Sequence, residues 1–249
     1  MNYNRFSNLS CYEEFEIQSA LTGISKVDIL KEIGYMINNY YFFISNDGIF
    51  NWYDLNGNRV EDPGILKELK KEHIPLSISK CIIPDSVTNI SKKAFCGCKS
   101  LISITIPDSV TSIGNYAFYN CKSLKEIVIP NSVINIGYGT FYNCKSLKEI
   151  VIPNSITDVG YGLFCNCKSL ISITIPDGVI NIDDEVFCDC KSLTSITIPD
   201  GVINIGYAVF WNCASLQEII FKGKTLDQVK QMKNYPFGIE DNSIIKCEI

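Results

Sequence analysis

Apolar and polar positions in the middle of the chain recur with a period of 23 residues. The segment CKSLISITIPDSVTSIGNYAFYN occupies residues 98–120, and close copies of it begin at Cys121, Cys144, Cys167 and Cys190. A degenerate copy precedes them from Pro75, and a broken copy follows from Cys213. The end coils of a stacked array have one face in water, so divergent terminal copies are expected. The pattern therefore predicts a solenoid built from stacked repeats.

Each repeat contains one predicted strand, in a segment of the form L-x-x-I-x-I. In the first full copy these positions are Leu101, Ile104 and Ile106, and their alternation with polar residues is typical of a short strand. Pro107 then ends the strand, because proline has no N–H to donate to a ladder. The Asp-Ser or Asn-Ser pair that follows favours a turn. Stacked strands of this kind lie about 4.8 Å apart.

These segments closely resemble the leucine-rich repeats of the BspA type, in which SLTSITIP and IGxxAF segments alternate. The resemblance covers about residues 75–221. It implies a β-rich solenoid, a right-handed leucine-rich repeat array with one short parallel strand per coil. It also implies a role in attachment or recognition, which proteins of this family often perform on bacterial surfaces towards host proteins or matrix.

The flanks do not follow the period. Residues 1–74 are expected to form a small N-terminal α+β domain that also caps the first coil, with helices over residues 11–20 and 25–37. The stretch YYFFISNDGIFNWYD predicts a hairpin that turns at residues 46–48, with a second turn at Asn56 and Gly57. Asp62 and Pro63 favour a helix that runs to about Glu72.

Residues 222–249 are predicted to close the other end of the array as a C-terminal cap. Thr225 with Gln228 three residues later is a capping-box pattern, which predicts a short helix to about Lys233. A turn and a last strand are expected in the segment YPFGIEDNSIIKCEI. The middle domain, the solenoid itself, is therefore assigned to residues 75–221.

The composition is typical of a folded protein, and together with the N-terminal sequence it limits the cellular locations that we expect. The 249 residues are 46% hydrophobic and 20% charged, which argues against general disorder. A net charge of −5 argues against non-specific nucleic-acid binding as the main role. No apolar run approaches the roughly 18 residues of a membrane span, and the first residues, MNYNRFSNLSCYEEFEI, lack the pattern of a secretory signal. We therefore expect a cytoplasmic or virion-associated protein, which would reach a cell surface only by a non-classical route.

The cysteines form two columns at the repeat period. One column is entirely cysteine, at residues 98, 121, 144, 167, 190 and 213, and its place beside inward Phe and Leu positions predicts small buried side chains. The other contains Cys96, Tyr119, Tyr142, Cys165, Cys188 and Trp211. A metal ligand would not be replaced by Tyr or Trp, whereas a space-filling side chain would be. We therefore predict packing, with no metal and no cofactor, and free thiols in a reducing compartment.

The sequence does not predict an enzyme. The only histidine is His73, which we expect on an exposed helix end. A single histidine excludes His-pair metal sites and argues against a Ser-His-Asp or Cys-His arrangement. The glycines lie at repeat turns and form no phosphate-binding loop. The carboxylates of Asp183 and Asp184 lie on an outer loop, where nothing indicates the raised pKa of a catalytic acid.

Two surfaces are candidates for binding. The outward strand residues are predicted to line the concave side, at Ile102, Thr105, Lys125, Glu126, Val128, Lys148, Glu149, Val151, Ile171 and Thr174. The Lys-Glu rows suit either solubility or protein docking. A lysine stripe is predicted at one strand entrance, at Lys99, Lys122, Lys145, Lys168 and Lys191, opposite an edge of Asp and Asn residues. The stripe would either keep solenoids from associating or bind a polyanion.

These observations favour a non-enzymatic protein–protein interaction module for recognition or attachment. The partner would be another protein of unknown identity. The main alternative is a structural component of a phage particle or other assembly that associates with itself through residues 40–53 or the solenoid edges. Polyanion binding through the lysine stripe is a third possibility.

Overall fold

The computed structural model of the protein describes residues 23–45 and 48–249. The helix predicted over residues 11–20 lies outside this range. The second predicted helix is present as α1 (Lys26–Ile33), where the Ser25 hydroxyl caps the Asp28 N–H at 3.2 Å. It was expected to continue to residue 37 but ends before Gly34. The next residues form β1 (Tyr35–Ile37) and pair with the following strand, so sheet pairing overrides the helical periodicity here.

The predicted hairpins are confirmed by an antiparallel sheet in the order β1-β2-β3-β4. Its remaining strands are β2 (Tyr40–Ile44), β3 (Phe50–Asp54) and β4 (Arg59–Val60). The hairpin between β2 and β3 pairs Ile44 with Phe50, and the turn predicted at residues 46–48 lies partly outside the described range. In the second turn, an Asp54 carboxylate oxygen accepts from the N–H groups of Asn56 and Asn58.

The helix predicted from Asp62 to Glu72 is wrong. The Asp62 carboxylate accepts from the Gly64 N–H in a turn, and the chain then forms β5 (Glu68–Leu69) and a 3-10 turn (Lys71–His73). The residues of β5 pair in parallel with residues of the first repeat, and Leu69 is fully buried. Long-range pairing therefore decides the structure of a segment whose local sequence favours a helix.

The predicted strand is present in every repeat except the one that begins at Cys121, and together these strands form the long series. Its members are β6 (Lys80–Ile82), β8 (Ser103–Thr105), β11 (Glu149–Val151), β13 (Ser172–Thr174), β15 (Ser195–Ile198) and β17 (Glu218–Lys222). In the coil between β8 and β11, the pairing is reduced to one bridge between Val128 and Val151. Backbone bonds still connect the coils, since the Lys125 N–H donates to the Ile102 carbonyl at 3.2 Å and the Lys148 N–H to the Lys125 carbonyl at 3.3 Å.

A second strand in each coil was not predicted. After β5, this short series consists of β7 (Asn89–Ile90), β9 (Ser112–Ile113), β10 (Asn135–Ile136), β12 (Asp158–Val159), β14 (Asn181–Ile182) and β16 (Asn204–Ile205). All its pairs are parallel. Two residues are too few to show an alternating pattern in sequence. The first strand of the short series, β5, lies before Pro75, where the first repeat was predicted to begin. The predicted domain limits at residues 74 and 221 stay predictions.

The core between the two series is a stack of identical side chains. Consecutive phenylalanine rings lie parallel with centroids 5.1–5.8 Å apart, at Phe95, Phe118, Phe141, Phe164, Phe187 and Phe210. Each ring is buried, together with the Leu and Ile residues of the long series. The repeat period therefore becomes a continuous apolar column, as expected for a solenoid whose units bury their apolar face only against neighbours.

Asparagines form a second internal column, which we call the asparagine ladder and which consists of Asn120, Asn143, Asn166, Asp189 and Asn212. All five residues have φ of 58–63°, the left-handed region that Asn and Asp tolerate better than other non-glycine residues. The side-chain amide of Asn143 donates to the Asn120 oxygen at 2.6 Å, and that of Asn166 donates to the Asn143 oxygen at 2.8 Å. The ladder is interrupted at Asp189, because a carboxylate has no N–H to donate.

The C-terminal cap has the predicted elements. The Thr225 hydroxyl and the Gln228 side chain form a reciprocal capping box at the start of α2 (Leu226–Gln231). The last strand, β18 (Ile245–Glu248), pairs in parallel with β17 and covers its free edge. No helix in the described part of the chain combines the length and the apolar character needed to cross a bilayer.

Candidate functional site

The long series presents three rows of side chains to solvent. Two rows alternate with core residues along the strand, and one lies directly before it. The first row is Ser79, Ile102, Lys125, Lys148, Ile171, Thr194 and Gln217, and the second is Lys80, Ser103, Glu126, Glu149, Ser172, Ser195 and Glu218. The third, which we call the β-branched row, is Ile82, Thr105, Val128, Val151, Thr174, Thr197 and Ile220. Together these rows make the outward face. The parallel register aligns equivalent residues of neighbouring coils directly, as in the pairs Ile82–Thr105 and Val151–Thr174.

Every residue predicted for the concave face is exposed on the outward face. Val128 and Val151 are the most exposed of its apolar residues, at 79% and 70%, and Ile171 is 47% exposed. Between them lie Lys125 and Lys148 in the first row and the two glutamates in the second, all exposed. Whether these residues bind a partner stays a prediction.

The sequence analysis missed the two end members of the β-branched row. Ile82 precedes the predicted set and is 64% exposed, and Ile220, which is half-buried, follows it in the last long strand. All members of the β-branched row have two substituents on Cβ, so their side chains are stiff and lose little rotamer freedom on contact. The signal was available, since the 23-residue alignment places all seven residues in one column.

The lysine stripe is exposed at its ends and half-buried in its middle. Lys99 and Lys191 are exposed, whereas Lys122, Lys145 and Lys168 are partly covered by neighbouring coils. None of the five makes an ion pair with a described carboxylate. At the other end of the long strands, an edge of exposed Asp and Asn residues is present as predicted, at Asp85, Asp108, Asn131, Asn154, Asp177 and Asp200.

The fully cysteine column is part of the core. Each thiol from Cys121 onward donates to the carbonyl of a phenylalanine in the preceding coil, as Cys144 does to Phe118 at 3.2 Å and Cys167 to Phe141 at 3.2 Å. Burial raises the pKa of these thiols, that of Cys213 to about 12. All cysteines in the described range are free. Thiols held in this protonated state are poor nucleophiles and poor metal ligands, in agreement with a packing role.

The second column packs as a mixed row of rings and thiols. Tyr119 and Tyr142 stack with centroids 5.4 Å apart, and the Tyr142 hydroxyl lies beside the Cys165 thiol, which in turn contacts Cys188. Burial raises the pKa of both thiols. Within residues 23–45 and 48–249, no three His, Cys, Asp or Glu side chains converge as metal ligands would.

His73 was predicted to lie on an exposed helix end, but it is buried. Its ring packs edge-on against Tyr35 and Phe42, with centroids 5.1 Å from each, and its Nδ1 accepts from the Lys70 N–H at 3.1 Å. Burial is the main reason that the pKa of His73 is lowered. The residue therefore joins the antiparallel sheet to the first coil.

Comparison with known proteins agrees with this geometry. A family profile for the BspA type leucine rich repeat region matches six copies, over residues 74–190 and 157–246. A leucine-rich repeat protein of T. pallidum is 32% identical, with a TM-score of 0.55 over 58% of this chain and 74% of its own. A leucine rich cell surface protein of Faecalibacterium prausnitzii is 30% identical, with a TM-score of 0.60 over 76% of this chain and 54% of its own. This chain therefore spans about half the length of the latter. No curated protein matches it significantly.

Proposed function

We propose that this chain, which belongs to the family of BspA-type leucine-rich repeat proteins, is a non-enzymatic module that recognises another protein through its outward face. The observation that carries the proposal is the β-branched row, with Val128 79% and Val151 70% exposed. Single exposed apolar residues are ordinary on protein surfaces. In the β-branched row, the adjacent Val128 and Val151 and the methyl groups of the flanking threonines form a stripe of largely apolar surface, and such stripes are typical of interaction sites.

The charged rows beside the stripe suit recognition of a specific partner. Lys125 and Lys148 lie in one row and Glu126 and Glu149 in the next, so the two signs alternate across a few ångströms of surface. Charges at the edge of an apolar contact fix the register of the partner and disfavour mismatched ones more than they add affinity. The face thus combines an apolar stripe with a fixed charge pattern on a rigid scaffold.

The chemistry of the buried groups supports a non-enzymatic role. His73 is held in an aromatic contact, and the cysteine thiols have raised pKa values because of burial. A catalytic base or nucleophile requires a pKa near the working pH and access to substrate. The buried thiols have neither.

The test first selects peptides that bind the protein and then measures their affinity for a variant whose outward face is altered. Random dodecapeptides displayed on phage are selected against the wild-type protein, and the affinity of each selected peptide is measured for the variant Val128→Arg/Val151→Arg. Both positions are exposed, so the variant should fold normally. We expect most peptides to lose at least about tenfold in affinity, or about 1.4 kcal/mol.

The matched control is Ile134→Arg/Ile203→Arg. These isoleucines are 59% and 64% exposed, and they precede strands of the short series rather than lying on the outward face. The control adds the same charge to an equally exposed apolar pair. Peptides that lose affinity equally for both double variants, or only for the control, would contradict the proposal.

The lysine stripe supports a second function, the binding of a polyanion. The observation that favours it is the lack of ion pairs with described carboxylates along five stacked lysines. Binding to heparin should weaken steeply with salt, because each neutralised anion releases counterions. The variant Lys122→Glu/Lys145→Glu/Lys168→Glu should abolish it. Retained heparin binding by that variant would eliminate this function.

A structural role in a phage particle or another assembly is the alternative to recognition of an external protein. In that case a second copy of the chain would be contacted by residues 40–53 or the solenoid edges, or it would cover the β-branched row. We also propose that the protein works in a reducing setting or inside a particle, supported by the free cysteines of the described range. Mass spectrometry of alkylated protein from the native host should find the cysteines reduced, and native disulfides would contradict this setting.

A further inference from the structure

A cavity of about 610 Å³ lies where the antiparallel sheet meets the first coil of the solenoid. One wall comes from β3 and β4, and the opposite wall comes from Ile82 and Pro84 at the end of β6. The two parts are held close together, because the Gly48 carbonyl accepts from the Ile82 N–H at 3.4 Å. A side chain at Gly48 would have its Cβ 2.0 Å from the Lys80 carbonyl oxygen, so only glycine permits this approach.

The cavity is apolar and aromatic inside. Phe50, Trp52, Val60 and Ile82 contribute to the lining, and Ile49 beside them is 47% exposed. Its volume lies within the range of about 300–1,000 Å³ that is typical of ligand sites. Ile82 is also the first member of the β-branched row, so the cavity continues the apolar stripe of the outward face.

The charged lining residues give the cavity a net negative rim. Glu61 and Asp62 are exposed carboxylates and Arg59 is the single base among the lining residues. Neither carboxylate forms an ion pair with a described residue. A ligand that brings a positive charge to this rim therefore gains attraction without breaking an existing pair.

Trp52, a member of the lining, carries a buried polar group without a partner. Its side chain is 2% exposed, and its indole N–H has no acceptor in the described structure. Leaving a buried donor unpaired costs about 1–3 kcal/mol, and unpaired donors of this kind are uncommon in native proteins. Because the indole nitrogen itself is buried, a bound segment would reach this N–H only if the cavity wall rearranged.

We propose that the cavity is the anchor subsite for the partner protein and takes a large apolar side chain that has a lysine or arginine next to it in sequence. The apolar side chain enters between Phe50, Trp52 and Ile82. Its basic neighbour pairs with Glu61 and Asp62 at the rim. Large buried anchors in a pocket dominate the energy of many protein interfaces, and the stripe of the outward face then serves as the surrounding contact.

The experiment uses Trp52 as its reporter. The chain has two tryptophans, and Trp211 is 54% exposed, so Trp211→Phe leaves Trp52 as the only one at little expense in stability. Emission of this full-length variant is titrated with the acetylated, amidated tripeptides Lys-Phe-Lys, Glu-Phe-Glu and Lys-Gly-Lys. We expect a saturable change with Lys-Phe-Lys, binding at least about tenfold weaker for Glu-Phe-Glu, and no change with Lys-Gly-Lys.

Charge reversal at the rim gives the decisive comparison. In Glu61→Lys/Asp62→Lys the preference should invert, with Glu-Phe-Glu binding more tightly than Lys-Phe-Lys. The matched control, Asp108→Lys/Asp177→Lys, makes the same change in net charge on the acidic edge and should keep the original preference. No saturable response, equal affinity for both charged peptides, or a preference unmoved by rim reversal would overturn the proposal. A response only to a neutral sugar such as cellobiose would also overturn it.

This inference rests on the proposed recognition function, but the two fail separately. The tripeptides are too short to cover the β-branched row, so a negative titration leaves the result for Val128→Arg/Val151→Arg unaffected. Conversely, unchanged peptide binding by that double variant would contradict recognition by the outward face while the cavity titration stays positive.

Discussion

Replacing Asp189 with asparagine should stabilise the solenoid, because it would complete the asparagine ladder. The Asn166 side-chain oxygen is buried and has no donor, and Asp189 occupies the next position of the same column. Asp189 already accepts from the Asn212 amide at 2.6 Å, and an asparagine would keep that bond while adding a donor for Asn166. Turning the Asn166 amide over would not repair the ladder, since it would break the bond to Asn143.

The magnitude follows from the unpaired group. A buried acceptor without a partner costs about 1–3 kcal/mol, so satisfying it should raise the free energy of unfolding by that amount. The backbone adds no strain, because Asp189 has φ of 58° and asparagine adopts this region readily. For a chain of this size, 1 kcal/mol corresponds to a rise of about 2–4 °C in Tm.

Urea unfolding and calorimetry would measure the effect against two controls. Asp177→Asn removes the same charge at an exposed position of the acidic edge and should change stability by less than about 0.5 kcal/mol. Asn143→Asp should introduce the same defect two positions earlier, because it removes the donor to Asn120. The reasoning would be refuted if Asp189→Asn were neutral or destabilising, or if Asn143→Asp had no effect.

Two further predictions concern buried groups. Cys144→Ala should lower the free energy of unfolding by about 1–2 kcal/mol, because it removes the thiol bond to the Phe118 carbonyl and leaves a small void. The metal content of the protein, measured by plasma mass spectrometry, should not change. A stoichiometric metal lost on substitution would contradict the packing role. For His73, burial lowers the pKa in the folded state, so the unfolded chain binds the proton first as pH falls. The contribution of His73 to the free energy of unfolding should be complete above the ordinary pKa of 6.5, and it should be lost as the pH falls through the lowered folded-state pKa. His73→Gln should flatten this dependence in urea titrations between pH 7 and pH 5, and an unchanged slope would show that another group is responsible.

The repeat could be predicted because each of its columns obeys one local rule. Leu101 and Ile104 alternate with polar residues, Pro107 ends the strand, and the glycines or asparagines that follow permit the turn. Stacking then multiplies these local preferences, so a pattern that would be weak in one copy becomes strong in several. Residues of the outward face could be chosen in the same way, since their columns alternate with core columns.

The junction between the N-terminal part and the solenoid could not be predicted, because it depends on contacts between distant segments. The segment from Asp62 to Glu72 favours a helix locally, but Leu69 is buried by pairing with the first repeat. His73 is buried for the same reason, between rings of the antiparallel sheet. The cavity requires Trp52 and Ile82 to face each other, and no spacing in the sequence indicates that proximity.

The measurement that tests the central claim most directly is the molar mass of the full chain in solution, by size-exclusion chromatography with light scattering over a range of concentrations. A module whose outward face is reserved for an external partner should be a monomer of 27.9 kDa at every concentration. A discrete oligomer that dissociates in the variant Val128→Arg/Val151→Arg would contradict the account. In that case the face would be occupied by a second copy of the chain, and the protein would be a component of an assembly.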